Sequence, residues 1–419
     1  MARIGFAYNQ KPEPVEVGVT DAMEQSRPED EPPSNRRDAW SRTSTEVAAP
    51  SAAVLSESPS LATDDEFAEW DSAETIDAVE RALSAVGEVI RLEATDDFPA
   101  LLRAARPDIV FNIAEGLNGP NREAHVPAIC EFYGIPYSGS DPFTLSLCLD
   151  KARTKEVLAF HGIATAGFRV VRNLEDLGRL AGEIRDSRFE NRNGKRRISN
   201  PESRISLPLF VKPIHEGSSK GITERNYCGT PDELETQVAF LLERYRQPVL
   251  VEEFLPGAEF TCAVLGNGDD ARVLPLVGMN FAALPEGALP VYGFEAKWVW
   301  DRPENPLEIF ECPARIDEAL THEIERTVLS AYRVLGCRDW SRIDVRLDAA
   351  GVPNVVEVNP LPGILPDPAD NSCFPKAARA AGMSYDQLIQ ACLTHAAKRQ
   401  NVPLSGKAAR SKTRAAALG

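Results

Sequence analysis

The pattern of apolar and polar positions changes period in a regular order near the start of the chain. Residues 3–8, Arg-Ile-Gly-Phe-Ala-Tyr, run as a strand. Residues 11–63 then lose all period: they hold seven prolines, many Ser, Glu and Asp, and few large apolar groups. A stretch of that kind cannot bury enough surface to offset its ordering entropy, so it is expected to be a disordered insertion. Order resumes near Trp70, where Asp71 or Ser72 can cap a helix with the apolar face Ile76, Val79, Leu83 and Val86, closed by Gly87. A strand at 89–92, a short helical stretch opening at Leu101-Leu102, a strand at 108–113 and a helix at 124–132 follow. Alternating strands and helices predict an open parallel sheet.

The pattern continues with a helix at 150–162, a strand at Val170-Val171, a strand at 207–213, a helix at 232–242 and a strand at 248–254. Beyond these come strands at 260–265 and 272–277, a helix at 316–335, a hairpin of 342–348 with 353–358 around Gly351, and a last helix at 384–397. Two segments fall outside this pattern. Residues 185–204 form a loop with seven Lys/Arg against three Asp/Glu, and residues 403–419 form a Lys/Arg/Ala-rich tail with no acid.

Charge narrows the picture. The 419 residues contain 63 acids and 46 bases, a net charge of −17. A body that acidic repels phosphate chains, so the 185–204 loop is read as a solvated insertion and not as a nucleic-acid contact. No run of 18 apolar residues exists to span a membrane. The eight cysteines are scattered without a CxxC pair, as expected of reduced thiols in a cytoplasmic protein.

Three groups of residues carry chemistry. In Phe210-Val211-Lys212-Pro213-Ile214-His215-Glu216-Gly217-Ser218-Ser219-Lys220-Gly221, a strand delivers a Lys into a small-residue loop whose backbone N–H groups can lie against phosphate oxygens; taken alone, a plain Gly-Ser turn is the commoner reading. In Val249-Leu250-Val251-Glu252-Glu253-Phe254-Leu255-Pro256-Gly257-Ala258-Glu259, an apolar strand runs into carboxylates, which suits an adenine slot with a further Glu for ribose hydroxyls; a strand ending in solvated acids is the plain alternative. In the hairpin, strand alternation puts Arg342 with Asp344 on one face and Glu357 with Asn359 on one face of the next strand. Oxygen ligands converging in this way suit Mg²⁺ shared with nucleotide phosphates, and Arg342 beside them can stabilise charge on a transferred phosphoryl group. A surface hairpin with a salt bridge is the alternative. Lys151, opening a helix after Asp150, and Lys297, in a Pro/Gly-rich loop, add two cations to Lys212.

Taken in order, these motifs resemble the ATP-grasp superfamily, specifically the D-alanine–D-alanine ligases and their relatives, over about residues 108–397 plus the first strand. Ile135-Pro136-Tyr137-Ser138-Gly139-Ser140, Asp150-Lys151, the Lys212 to Gly221 loop, Glu252 to Glu259, Glu295-Ala296-Lys297-Trp298, Arg342-x-Asp344 and Glu357-x-Asn359-x-x-Pro362-Gly363 all follow that family's sequence. Ser372-Cys373-Phe374-Pro375 and Ala381-Gly382-Met383-Ser384-Tyr385 do so too. The resemblance implies an α/β chain with the ATP-grasp fold: an open parallel-sheet N-terminal domain followed by two α+β subdomains clamping ATP. The N-terminal domain would span 1–140, the central lid subdomain 141–253 and the catalytic subdomain 254–402. It further implies that Lys151 and Lys212 bind ATP phosphates, Lys297 the terminal phosphate, Glu259 the ribose, and Glu252, Phe254 and Leu255 the adenine. Asp344, Glu357 and Asn359 would hold two Mg²⁺, for which Mn²⁺ can stand in. Arg342 and the Gly363 N–H would stabilise the intermediate, with Ser218 on the substrate side of the phosphate lid and Ser372 near the acceptor's carboxylate.

The departures from the family pattern fall on the amino-acid side. Trp298 stands where the family has a tyrosine, and indole offers only a donor. No residue matches the family's glutamate after the first strand, which binds the first substrate's ammonium. The family's H-G-x-x-G-E-D-G stretch is replaced by residues 111–123, which offer Glu115, Arg122 and Glu123 for substrate recognition instead. The loop from Gly363 to Ser372 is longer. The implied enzyme is a cytoplasmic ATP- and Mg²⁺-dependent carboxylate–amine ligase acting on amino acids or a peptide, with no nucleic-acid or membrane partner and, by analogy alone, a homodimer. The competing readings are D-alanyl-D-alanine synthesis for peptidoglycan precursors and a non-catalytic ATP-binding regulator or scaffold.

Overall fold

The strand–helix alternation at the N-terminus lays down β1 (Arg3–Tyr8), α1 (Ala73–Ser84), β2 (Glu88–Glu93), α2 (Phe98–Ala105), β3 (Ile109–Asn112) and α3 (His125–Tyr133). The three strands form a parallel sheet in the order β2-β1-β3, as the alternation predicts. Ser72 is the helix cap, its hydroxyl accepting from the Thr75 N–H. This computed structural model describes residues 1–12, 67, 69–187, 205–285, 287–293 and 307–404. Met1–Lys11 and Ala68–Gly419 form one unit; of the second, Pro12–Phe67, only the two end residues are described. The expected disorder of 11–63, almost all of the 185–204 loop, Lys297, Trp298 and nearly all of the 403–419 tail lie outside the described residues.

The chain leaves and re-enters the first unit at one place. Gln10 and Asp71 form a parallel bridge, and the Lys11 N–H donates to the Asp71 carbonyl at 2.8 Å. With both ends fixed side by side, the length of the intervening segment costs only a slowly growing loop entropy.

α4 (Pro142–Leu149) and α5 (Lys151–Phe160) meet at Asp150, whose carboxylate caps the second helix by accepting from the Ala152 and Arg153 N–H groups. The sequence pattern shows only the second of these helices; α4 is apolar all round, so it carries no helical period. β4 (Phe168–Val171), α6 (Leu174–Ser187), β5 (Leu209–Pro213), β6 (Tyr227–Cys228), α7 (Pro231–Tyr245) and β7 (Val249–Glu253) follow, with an antiparallel sheet ordered β4-β7-β5-β6. α6 corrects the start of the basic loop. The helix runs on to Ser187 because Arg185 in its last turn pairs with Asp232 and Glu235 of α7 at 3.0 and 2.6 Å.

The third sheet contains β8 (Glu259–Leu265), β9 (Arg272–Val273), β10 (Val277–Met279), β11 (Phe310–Glu311), β12 (Trp340–Leu347) and β13 (Pro353–Asn359). Its order is β11-β10-β8-β12-β13, with β9 also beside β8. The single strand expected at 272–277 is two short ones, since Pro275 has no N–H for the ladder. α8 (Glu318–Val334), α9 (Cys373–Ala380) and α10 (Tyr385–Gln400) complete the chain.

One core joins the first and last segments. Ile76, Val79 and Leu83 of α1 share it with Leu388, Cys392, Leu393 and Ala396 of α10, and Trp340 sits in it between the rings of Phe111 and Phe374. Each fully buried aliphatic side chain there contributes about 1.5–3 kcal/mol. The start of β12 is thus tied to the N-terminal layer. Among the described residues no helix is long and apolar enough to cross a membrane, and all eight cysteines are free thiols.

Candidate active site

The hairpin of β12 and β13 sets Arg342 opposite Asn359 and Asp344 opposite Glu357. Strict alternation would continue this register, but it shifts between Asp344 and Val345, so that Val345 faces Val355. This bulge leaves Val356 as the extra residue beside Glu357, a local re-aiming that sequence periodicity does not reveal. Arg342 Nη2 donates to Asp344 Oδ2 at 3.1 Å, and the Asn359 amide approaches the same oxygen at 3.5 Å. Burial raises the Asp344 carboxyl above the usual range despite Arg342, with Glu357 adding to the rise.

Lys151 and Lys212 are not surface lysines. Both are buried and both rest on carboxylates. Lys151 Nζ lies 2.8 Å from Glu357 Oε1, and Lys212 Nζ lies 2.7 Å from Glu252 Oε1. Burial works against ionising Glu357, but Lys151 and Lys212 outweigh it and hold the carboxyl below its ordinary value. Glu252 is held more strongly: burial would raise it, yet Lys155 and Lys212 pull it down to about 2.

Phe254 and Leu255 line the same cavity, which has a volume of about 350 Å³. Glu259 pairs with Arg346 at 2.8 Å, across the β8–β12 register. The guanidinium of Arg346 lies over the rings of Phe254 and Phe281, at 4.8 and 5.3 Å. Arg346 is one residue the sequence reasoning missed; its signal was its place two residues after Asp344, on the Arg342 face of the strand.

The small-residue loop turns on two left-handed residues, Ser218 (φ 49°) and Ser219 (φ 61°). Gly217 is required by close approach: a Cβ there would lie 2.5 Å from Glu69 Oε1, the atom that accepts the Gly217 N–H at 3.0 Å. Glu69 is the second residue missed. It is buried and takes Arg122 on both oxygens at 3.0 Å and Lys220 at 3.2 Å. Burial opposes its ionisation, but these two cations hold its carboxyl below the usual range. Its place is fixed by its neighbours, since the Trp70 indole donates to the Gly116 carbonyl at 3.1 Å and Asp71 makes the bridge to Gln10. The available signal was an acid just ahead of the helix cap at Ser72.

The candidates from residues 111–123 separate into two kinds. Glu115 and Glu123 line the cavity, whereas Arg122 is buried behind it, holding Glu69 and donating to the His215 carbonyl at 3.0 Å. Glu115 and Glu123 have no ion pair among the described residues. Burial raises both, Glu123 to about 8, with neighbouring carboxylates adding to the rise. Asp71 also lines this end and is raised by burial to about 7, with Lys11 working against the rise. Gly363 and Ser372 line the cavity too. The Ser372 hydroxyl donates to the Gly363 carbonyl at 3.2 Å and accepts the Leu365 N–H at 3.2 Å, closing the base of the long loop between them.

A hard cation suits the hairpin. No cluster of three His, Cys, Asp or Glu is present among the described residues. The donor set is instead two carboxylates and one amide, and Asp344 Oδ1 is buried with no hydrogen-bond partner. An orphaned carboxylate oxygen beside Glu357 and Asn359 fits Mg²⁺ that takes its other ligands from water and phosphate.

The family model described as D-ala D-ala ligase C-terminus matches residues 184–394. The D-alanine–D-alanine ligase of Bordetella petrii is 34% identical over 304 residues, covering 73% of this chain and 80% of that one. That of Mannheimia succiniciproducens is 36% identical over 282 residues, covering 67% and 77%. An uncharacterised Sinorhizobium fredii protein, y4sG, is 32% identical over 339 residues, covering 79% and 89%. Among solved structures, D-alanine–D-alanine ligase from Bacillus anthracis complexed with ATP superposes with a TM-score of 0.59 at 18% identity, covering 96% of this chain and 99% of that one. VanG D-Ala:D-Ser ligase from Enterococcus faecalis gives 0.58 at 18% identity, covering 94% and 99%. These likenesses show the ATP-grasp fold.

Proposed function

The chain belongs to the D-alanine–D-alanine ligase family and is an ATP-dependent carboxylate–amine ligase, and from that premise we propose that it joins amino acids, or an amino acid and a peptide, at the acidic end of the cavity. The observation that carries the reading is the placing of Arg342, Asp344, Glu357 and Asn359 on facing strands in one cavity with Lys151 and Lys212. ATP phosphorylates a substrate carboxylate, which turns an oxygen that would leave as hydroxide into one that leaves as phosphate. The second substrate's amine then attacks the acyl carbon, giving an amide, ADP and phosphate.

Lys151, Lys212 and Lys297 hold the polyphosphate, and Phe254 and Leu255 flank the adenine beside Glu252. Glu259, steadied by Arg346, meets the ribose. Asp344, Glu357 and Asn359 hold two Mg²⁺, or Mn²⁺ in their place, which supply positive charge to the phosphates. Arg342 and the Gly363 N–H face the oxyanion of the tetrahedral intermediate. Ser218 closes the substrate side of the lid, Ser372 meets the acceptor's carboxylate, and Glu69 takes the place of the ammonium-binding glutamate. Glu115 and Glu123 shape the rest of the substrate pocket, and Arg122 holds Glu69 in place. Glu115 and Glu123, with no ion pair among the described residues, favour an amino acid carrying a second ammonium group.

The test is ADP release from Mg-ATP against a panel of D- and L-amino acids that includes diamino acids. Stimulation by a pair containing a diamino acid is expected. Saturation by D-alanine alone would instead establish D-alanyl-D-alanine synthesis, and silence across the panel would overturn the amino-acid assignment.

A further inference from the structure

Lys155 has no part in the scheme above, yet it is among the most deeply buried charged groups of the chain, with its side chain 2% exposed. It rises from α5 one turn after Lys151 and meets Glu252 Oε2 at 2.7 Å, while Lys212 holds Oε1 of the same carboxylate at 2.7 Å. Its ammonium also donates to Thr165 Oγ1 at 2.7 Å, and the Thr165 hydroxyl donates on to the Val355 carbonyl of β13 at 2.8 Å. The Phe168 ring lies 5.9 Å from the ammonium. Two buried lysines thus share one carboxylate.

The two differ in what else holds them. Both line the cavity, but Lys212 also lies in the field of Glu357 and Glu259, and the ligase reading sends it to the nucleotide phosphates. Lys155 is tied at its head to Thr165. When Lys212 turns to a phosphate, Glu252 keeps a cation only if Lys155 stays. A buried carboxylate left with no partner carries a heavy desolvation penalty.

We propose that Lys155 is the resident counter-ion of Glu252, a positioning residue that keeps this carboxylate paired while Lys212 exchanges Glu252 for the phosphates of ATP. The proposal rests on the reading that Lys212 meets those phosphates. The charged groups facing Glu252 are Lys155 from α5 and Lys212 from β5, so in a Lys155→Met protein the departure of Lys212 leaves protonation as the only way to neutralise it.

The experiment is calorimetric binding of a non-hydrolysable ATP analogue with Mg²⁺, at pH 6, 7 and 8, to the full chain and its variants. Lys155→Met is expected to weaken binding on the order of 10²-fold at pH 8, to recover affinity as pH falls, and to take up a proton on binding that the wild type does not. Lys155→Arg, which keeps the charge, is expected to stay within about threefold of wild type. In a Glu252→Gln background, adding Lys155→Met is expected to change affinity by less than about twofold. A Lys155→Met loss that is independent of pH and persists in the Glu252→Gln background would overturn the proposal, as would wild-type affinity in Lys155→Met. Should Lys155→Met alone not fold, the two Glu252→Gln proteins decide: equal affinities support the assignment, and a further loss overturns it. Failure of the wild type to bind the analogue would bring down the phosphate reading of Lys212 itself, a result distinct from binding that ignores Lys155.

Discussion

The two ends of the cavity manage charge in opposite ways. At the nucleotide end four carboxylates already have a cation: Glu252 has Lys155 and Lys212, Glu357 has Lys151, Glu259 has Arg346 and Asp344 has Arg342. At the substrate end Glu69 alone is fully paired, while Glu115 and Glu123 face the cavity with no ion pair among the described residues and are raised by burial. A paired site is organised before its ligand arrives, and its cations need only exchange one anion for another. An unpaired acidic site is completed by the ligand's own charge. On the proposed reading, the nucleotide end meets one invariant polyphosphate, and the substrate end a molecule that brings ammonium groups with it.

The sharpest way to break this contrast is at the hairpin. Asp344→Ala or Glu357→Ala is expected to lower kcat by about 10³-fold or more with the fold intact, since both charge neutralisation and alignment of the phosphates go with the metal ligand. Near-normal turnover in either variant would remove the hairpin from the mechanism. Next is Glu69→Gln. It removes the nearer counter-charge of Arg122 and Lys220, leaving Glu216 at 3.9 and 3.7 Å, so it should cost about 1–3 kcal/mol of stability. Its KM for the amino-acid substrate should rise about 10²-fold while KM for ATP stays put. An equal rise in both constants would show that Glu69 only holds the loop. Glu115→Gln and Glu123→Gln are milder: each is expected to lower the preference for a diamino acid over a neutral one by about tenfold. An unchanged preference would end the reading of these two acids as selectors.

The same contrast explains what could be read from the sequence. The hairpin residues, with Lys212, Glu252 and Glu259, sit on regular strands, where alternation fixes which side chains share a face; Arg342, Asp344, Glu357 and Asn359 follow from that rule alone. The substrate end is assembled from loop residues that meet only through the tertiary fold. Glu69 lies at the far end of an aperiodic segment, and it is brought to the site by the Gln10–Asp71 bridge and the Trp70 indole, neither of which leaves a local pattern. Arg122 was a substrate candidate with the rest of residues 111–123, but the short helical turn at Arg122–Ala124 sends Arg122 inward and Glu123 to the cavity. α4 was hidden for a different reason: apolar side chains spread around the helix erase the amphipathic period by which a helix is recognised. The bulge at Val356 shows the limit of alternation even on a good strand.

The smallest expected effect tests the unpaired end through stability. Asp71 titrates at about 7 in the folded chain because burial outweighs the pull of Lys11. Its unfolded value is about 4. Between those values the native state holds the extra proton, so stability falls as pH rises from about 4 through 7. Glu123, at about 8, acts in the same direction and extends the fall upward. Glu252, at about 2, acts in the opposite direction, but only below the usual carboxylate range, so a window of pH 5 to 8 is free of it. The ligand-free protein should therefore lose a few degrees of Tm across that window. Asp71→Asn should flatten the slope, and Asp71→Asn with Glu123→Gln should flatten it further. Binding of a cationic substrate should do so as well, because its ammonium groups stabilise the ionised carboxylates and their protons are released. A slope as steep in the double variant as in the wild type would show that Asp71 and Glu123 are as well neutralised as the acids at the nucleotide end, and the contrast between the two ends would fail.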